Sequence, residues 1–428
     1  MTRYQWTVLF AAWLGWGFDV FDGLLFNYVA PSCVPTLLGL PLNSPEAKQA
    51  TYFWVGVISA LLLLGWAAGG ILFGAVADRI GRTRTLLVTM LLYAVGTAAC
   101  AAAPNIGTLI AFRVVASLGI GGEWAAGAAM VAEVVPEKRR VEAGALLYTS
   151  APMGLFLADF VTFQITGSLF KGSPETSWRY VFLCGLIPAV VAFAIRIFVK
   201  EPERWKEVAA SGRQHPRIRE LFTPEVRRLT ASGFAMAVVA LITWWSCSSF
   251  ISTVSTTLAK DVAATQGLDA AATAALIPGW RTRTTMYFNL GGLIGTLLTV
   301  PAAKVFGRRT MFMLYFALSA VAMFTTFGID HPPDTRQAMY FFIGLTVFGV
   351  FGAFTYYLPE LFPTRMRGTG AGFCYNVGRI ITAPGPFVVG YLAAQGSAFQ
   401  ALTAVAAVPL VGAVAARFIV ETKGRGLE

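Results

Sequence analysis

Long apolar runs separated by short polar loops occupy almost the whole chain. Twelve can be marked off, at 6–30, 51–77, 85–103, 106–131, 142–168 and 179–199, then 229–252, 277–303, 310–328, 336–358, 371–394 and 398–420. Each is close to the ~20 residues that a helix needs to cross ~30 Å of hydrocarbon. The runs are too long and unbroken for outer-membrane strands, which alternate over ~10 residues. The opening run continues to about Ala30, beyond the ~7–15 apolar residues of a signal peptide, and is expected to stay as the first span. The one long polar stretch, 200–228, is rich in Arg and Lys and interrupted by Pro202, Pro216 and Pro224. It reads as a linker between two six-helix units, 1–199 and 229–428, with a short amphipathic piece around Arg217–Phe222. The predicted fold is all-α: a polytopic membrane protein of twelve helices.

Composition agrees. The chain is 56% hydrophobic and 13% charged, where soluble proteins carry about 25% charged residues. The net charge of +11 sits in loops between spans, which is a topological signal and not a nucleic-acid stripe. With both termini in the cytoplasm, only Lys48, Lys171, Arg179, Lys260, Arg281, Arg283 and Arg336 fall outside, and Arg113 and Arg379 fall within the membrane. The remaining Lys and Arg lie inside, as the positive-inside rule demands. The five cysteines are scattered, His215 and His331 stand alone, and no metal-ligand spacing follows. There is no nucleotide loop or nucleophile triad, so no enzyme and no cofactor is expected.

The halves repeat. Gly81-Arg82 recurs as Gly307-Arg308, Glu133-x-x-Pro-x-x-x-Arg140 as Glu360-x-x-Pro-x-x-x-Arg367, and Tyr148 as Tyr375, all offset by 226 or 227 residues. Three matches in one register indicate a duplicated bundle. Lys304 stands where Asp78 stands in the first copy.

The loop Gly74-x-x-x-Asp78-Arg79-x-Gly81-Arg82 resembles the signature between the second and third helices of the major facilitator superfamily. Arg113-x-x-x-Gly-x-Gly-Gly-Glu123-Trp124, Lys200-Glu-Pro-Glu-Arg-Trp205 and Glu421-Thr-Lys-Gly424 resemble motifs of its sugar and metabolite porters. That resemblance implies two pseudo-symmetric bundles around a central cavity, with Gly74, Asp78, Arg79, Gly81, Arg82, Glu133, Arg140, Arg308, Glu360 and Arg367 as cytoplasmic gate. The competing reading of those charges is ordinary surface pairing, worth ~0–1 kcal/mol. Gly17-Phe-Asp19-Val-Phe-Asp22 resembles the first span of the sialate:proton and aromatic-acid:proton carboxylate symporters, with Val20 in place of their Gly.

Ionisable groups inside spans are costly and usually functional. Asp19, Asp22, Arg113, Glu123 and Asp159 form the candidate proton-coupling set, with Asp22 placed at the depth of Arg113. Arg379 is a candidate anchor for a substrate carboxylate, its alternative being a partner for Glu123 or for helix carbonyls. Candidate cavity liners are Tyr148, Gln164, Trp244, Trp245, Asn289, Tyr356, Tyr357, Tyr375 and Asn376, each of which can equally be packing. The expected function is proton-coupled uptake of a small organic anion by a monomer in the cell membrane. A sugar or polyol porter, a drug exporter and a non-transporting receptor are the alternatives.

A Ser211→Cys variant in a cysteine-free background tests the threading. Membrane-permeant maleimide should label it in intact cells and an impermeant one should not. Labelling by the impermeant reagent reverses the topology.

Overall fold

The computed structural model describes residues 2–80, 82–136, 139–187, 190, 218–363 and 366–424, and they are helices joined by short turns. Local chemistry sets several boundaries. Helix α1 (Arg3–Leu38) begins on a capping box, Thr2 and Gln5 each accepting the other's backbone N–H, and ends at Gly39 with φ 68°. Helices α2 (Pro45–Ile80) and α3 (Arg82–Cys100) follow. Helix α4 (Ile106–Val134) starts where the Asn105 side chain accepts from the Thr108 N–H. The fifth crossing joins α5 (Arg140–Tyr148) and α6 (Ser150–Thr162), which runs into a π turn at Phe163–Leu169. Helix α7 (Pro174–Cys184) begins the sixth. In the linker, Ile218–Phe222 is a 3-10 turn with Leu221 buried and Phe222 edge-on to Phe373.

The second half repeats the plan. Helices α8 (Arg227–Ser248) and α9 (Ile251–Thr265) make one crossing, and α10 (Ala270–Phe306) and α11 (Arg308–Met323) the next two. Helices α12 (Pro333–Ile343) and α13 (Phe354–Leu361) are linked through π and 3-10 turns over 344–353. The pairs α14 (Arg367–Thr382) with α15 (Pro384–Gln395) and α16 (Ala398–Val405) with α17 (Ala407–Ala415) complete the chain.

Nine helical segments among the described residues are long and apolar enough to cross a membrane. The shorter apolar helices Leu87–Cys100 and Ile106–Gly121, together with α7, fill the three remaining predicted places. The helices overrun the predicted spans: α1 has 36 residues and α10 has 37, and the seventh crossing continues to Thr265. Hydropathy marks only the length in hydrocarbon, whereas backbone hydrogen bonding carries a helix on into the interface.

Apolar side chains are exposed in stripes, such as Val88, Leu91 and Val95 on α3 and Leu314, Leu318 and Val321 on α11. Spacings of three and four residues put each stripe on one face, turned to lipid. Inward faces pack through glycine, because lipid leaves close van der Waals contact as the main cohesive force. A Cβ on Gly344 would collide with the Phe288 carbonyl, and one on Gly291 with the Phe341 carbonyl, so α10 and the tenth crossing touch backbone to backbone.

The two halves meet in the same way. A Cβ on Gly56 of α2 would lie 2.6 Å from the Pro386 carbonyl oxygen and 3.2 Å from Gly390 Cα on α15. Gly56→Ala should therefore spread this crossing and cost about 1–3 kcal/mol. Gly279→Ala, where nothing lies within 4 Å of the new methyl, is the control and should be silent. Thermal unfolding in detergent compares them; equal melting temperatures would discount the crossing.

Candidate functional site

A buried guanidinium is the centre of the site. Arg379, on α14, is 5% exposed. Its Nη1 donates to Asn376 Oδ1 at 3.0 Å, and its charged carbon lies 4.8 Å from the ring centres of both Trp66 and Tyr375. Asn376, Tyr375 and Arg379 occupy neighbouring positions on one helix face, and Trp66 comes from α2 in the other half. Tyr148 of α5 lies beside Tyr375 and Arg379, and the Asp19 carboxylate is within electrostatic reach of Arg379.

Aromatic rings extend from this point across both halves. Trp66 meets Trp245 edge-to-face at 5.4 Å, and Trp245 meets Trp244 at 4.9 Å. Tyr148 stacks on Phe351 at 6.0 Å and meets Trp16 edge-on at 5.1 Å. Phe348 touches Tyr148, Trp244 and Phe288. A cation held against π faces in a water-poor interior is attracted by about 2 kcal/mol or more, and the planar rings offer stacking surfaces to a flat ligand.

Asp22 stands apart from that group. Its Oδ2 accepts from the Thr97 hydroxyl at 2.7 Å, and Gly185 of the sixth crossing packs against it. Arg113 does not pair with this carboxylate among the described residues. Its guanidinium donates to the main-chain carbonyls of Asp22 (3.2 Å) and Gly23 (2.5 Å). The guanidinium therefore lies beside the Asp22 main chain, within electrostatic reach of the carboxylate and not bonded to it. Free helix carbonyls give the buried cation two acceptors at fixed positions, which a single flexible carboxylate does not.

Asp159 also lies elsewhere, near the face opposite the termini. Thr282 donates to it at 3.4 Å, while Arg281 donates to Thr256 Oγ1 at 2.8 Å and reaches the Tyr28 carbonyl at 3.5 Å. With Ser252 to the Tyr28 carbonyl (3.2 Å) and Lys260 to the Leu42 carbonyl (3.2 Å), these contacts bridge the halves on that face. The terminal face is bridged too, where Lys304 Nζ meets Glu142 Oε1 at 2.5 Å, both side chains about half exposed.

Arg308 and Glu360, two of the residues expected at the gate, belong to one network. Arg308 grips Glu360 with two bonds of 3.0 and 2.6 Å, and Thr422 donates to the same carboxylate at 2.6 Å. Glu421 accepts the N–H groups of Arg308 and Arg309, both at 2.9 Å, at the start of α11. Burial opposes the Glu421 charge, but the surrounding N–H donors outweigh it and hold its carboxyl below the usual range. Tyr356 belongs to this network, not to the cavity where its sequence position suggested it: it donates to the Thr299 carbonyl at 3.2 Å and lies under Arg308. Gln164 sits half-buried in the π turn. The side chains of Asp78, Arg79, Arg82, Glu123, Glu133, Arg140 and Arg367, with Gly74 and Gly81, lie outside the described residues.

Sequence reasoning missed Trp66, Phe348, Phe351, Thr97 and Glu142. None carries a motif, and an aromatic in an apolar run gives no sign of which way it faces. Lys304 had a signal, its place opposite Asp78, but its partner did not.

A helical membrane protein in two halves, with polar and charged side chains meeting at its centre and bridges on both faces, has the architecture of a transporter. The chain belongs to the major facilitator superfamily: the family profile of that description matches residues 6–281, and the profile "Sugar (and other) transporter" matches 292–428. It is a metabolite transporter and not an enzyme. It is 28% identical to a putative metabolite transport protein of Haemophilus influenzae, over 100% of this chain and 99% of the other. It is 27% identical to the gentisate transporter of Corynebacterium glutamicum, over 90% of this chain and 81% of that one. Its fold matches the inward-open xylose transporter XylE of E. coli with a TM-score of 0.75 at 18% identity, covering 99% and 98% of the two chains.

Proposed function

We propose that the protein takes up a small organic carboxylate with a flat, aromatic or unsaturated body, together with protons, by alternating access. It would sit in the cell membrane with both termini inside. The observation that carries this reading is Arg379, a buried guanidinium set among rings supplied by both halves. A planar fork pairs with a carboxylate through two parallel bonds, and the Trp66, Trp245 and Tyr148 rings offer the body its stacking surface. A sugar or polyol would gain nothing from that charge. The gentisate transporter among the relatives is named for an aromatic acid, which supports the same choice.

Asp22 supplies the proton site in this reading. It is 1% exposed, its Oδ1 has no hydrogen-bond donor among the described residues, and Arg113 donates to the main-chain carbonyls of Asp22 and Gly23. A carboxylate so placed is relieved either by protonation or by a shift of Arg113 toward it, and these two states alternate through the cycle. Asp19, beside Arg379, senses substrate charge instead. Lys304–Glu142 and the contact of Arg281 with the Tyr28 carbonyl then act as weak latches on the two faces, and the glycine crossing of α2 with α15 as the axis between them.

Two variants test the reading in proteoliposomes given a panel of aromatic carboxylates. Arg379→Lys should lose roughly tenfold or more in uptake efficiency, because an ammonium lacks the planar fork. Unchanged affinity in correctly inserted Arg379→Ala would remove it from the site. Asp22→Asn should lose accumulation driven by a proton gradient yet keep exchange of internal for external substrate. Accumulation against a gradient by Asp22→Asn would transfer the coupling role to another acid.

A further inference from the structure

A second polar region lies at the other end of the aromatic wall from Arg379. A cavity of about 20 Å³ opens between the halves, lined among others by Asn27, Tyr28, Trp244, Ser248, Thr285 and Phe288. That volume holds one small polar group and no more. Trp244 connects it to the guanidinium through the edge-to-face series Trp244, Trp245, Trp66.

The walls carry polar atoms with no protein partner. The Trp244 Nε1 and Ser248 Oγ atoms make no hydrogen bond within the described residues. Asn289, one turn on from Thr285 and behind the lining, shares the Tyr28 hydroxyl with it. Thr285 is 1% exposed, Asn289 0% and Trp244 7%. The Tyr28 hydroxyl donates to the Leu155 carbonyl at 3.3 Å, and its oxygen is left to accept from Thr285 and Asn289. A buried polar atom left unpaired costs about 1–3 kcal/mol, and most native ones are paired. The cavity wall is thus short of partners at Trp244 and Ser248, and Thr285 and Asn289 have one hydroxyl between them.

We infer that this cavity is a specificity subsite that receives an uncharged hydrogen-bonding substituent, a hydroxyl or oxo group, at the end of the transported acid remote from its carboxylate. The inference rests on the carboxylate reading and adds to it. The chemistry of the lining excludes a second anionic end: its donors and acceptors are neutral, with no cation among them. The nearest charges, Arg281 and Asp159, are of opposite sign and engage Thr256, Tyr28 and Thr282 toward the outer face. A second carboxylate would therefore enter desolvated and without a counter-charge. A hydroxyl, by contrast, satisfies a donor and an acceptor at once, and an unsubstituted ring leaves Trp244 and Ser248 unpaired. Discrimination by a polar site against a ligand that lacks the polar group is the strong kind.

The experiment measures competition and uptake in proteoliposomes with para-hydroxybenzoate, its methyl analogue para-toluate, and the dicarboxylate terephthalate. The wild type should prefer para-hydroxybenzoate over para-toluate roughly tenfold and should exclude terephthalate. Thr285→Val keeps the shape and removes the hydroxyl. It should lower the efficiency for para-hydroxybenzoate about three- to tenfold through KM, leave para-toluate unchanged, and leave the melting temperature unchanged or raised. Asn289→Leu should move selectivity in the same direction. If the wild type and Thr285→Val handle the hydroxyl and methyl acids alike, the subsite is overturned while the carboxylate reading stands. If terephthalate is carried as well as para-hydroxybenzoate, the neutral character assigned to the subsite is wrong. Failure to carry any of the three overturns the carboxylate reading and this inference with it. The wild-type comparison decides the matter even where a variant does not insert.

Discussion

An arginine side chain cannot give up its proton inside a bilayer and cannot find bulk water there, and the centre of this protein is arranged around that constraint. Arg113 and Arg379 meet it in two ways. Arg113 is held by main-chain carbonyls of Asp22 and Gly23, which are acceptors that cannot be titrated away. Arg379 has one amide oxygen and two aromatic faces. The first arrangement joins α1 to α4. The second sets the charge among rings from both halves, with the Asp19 carboxylate in electrostatic reach.

The two halves are joined by interactions of very different stiffness. Backbone contact at Gly56 and Gly390 admits no separation without loss of packing on both sides. The bridges on the two faces are single bonds, and Lys304–Glu142 is half exposed and so worth ~0–1 kcal/mol. Such pairs are weak enough to break in turn, which suits a machine that opens one face at a time. The bidentate Arg308–Glu360 pair differs again. It joins elements within the second half, together with Thr422 and the Glu421 carboxylate, and so keeps that half rigid while it moves as a body.

Much of this was determined by the sequence alone. Apolar runs of membrane length, the duplicated Gly-Arg and Glu-Pro-Arg signatures and the loop charges define a twelve-helix protein of this superfamily, because hydrocarbon thickness and unsatisfied backbone leave a helix little choice. The ionisable residues inside spans also stand out, since lipid makes any charge conspicuous, and Arg379, Asn376, Tyr375 and Tyr148 are among the candidates, but the sequence does not say that they meet. What only the tertiary structure decided was direction and partner. Asp22 and Arg113 share a depth, yet the guanidinium takes carbonyls, and a helical side chain's partner depends on rotation about the axis that depth does not record. Tyr356 reads like a cavity tyrosine and faces Arg308 instead. Trp66 reads like one more lipid-facing aromatic and covers the central charge. The unpaired atoms of Trp244 and Ser248 are invisible in one dimension, because whether a polar atom is satisfied depends on neighbours from other crossings.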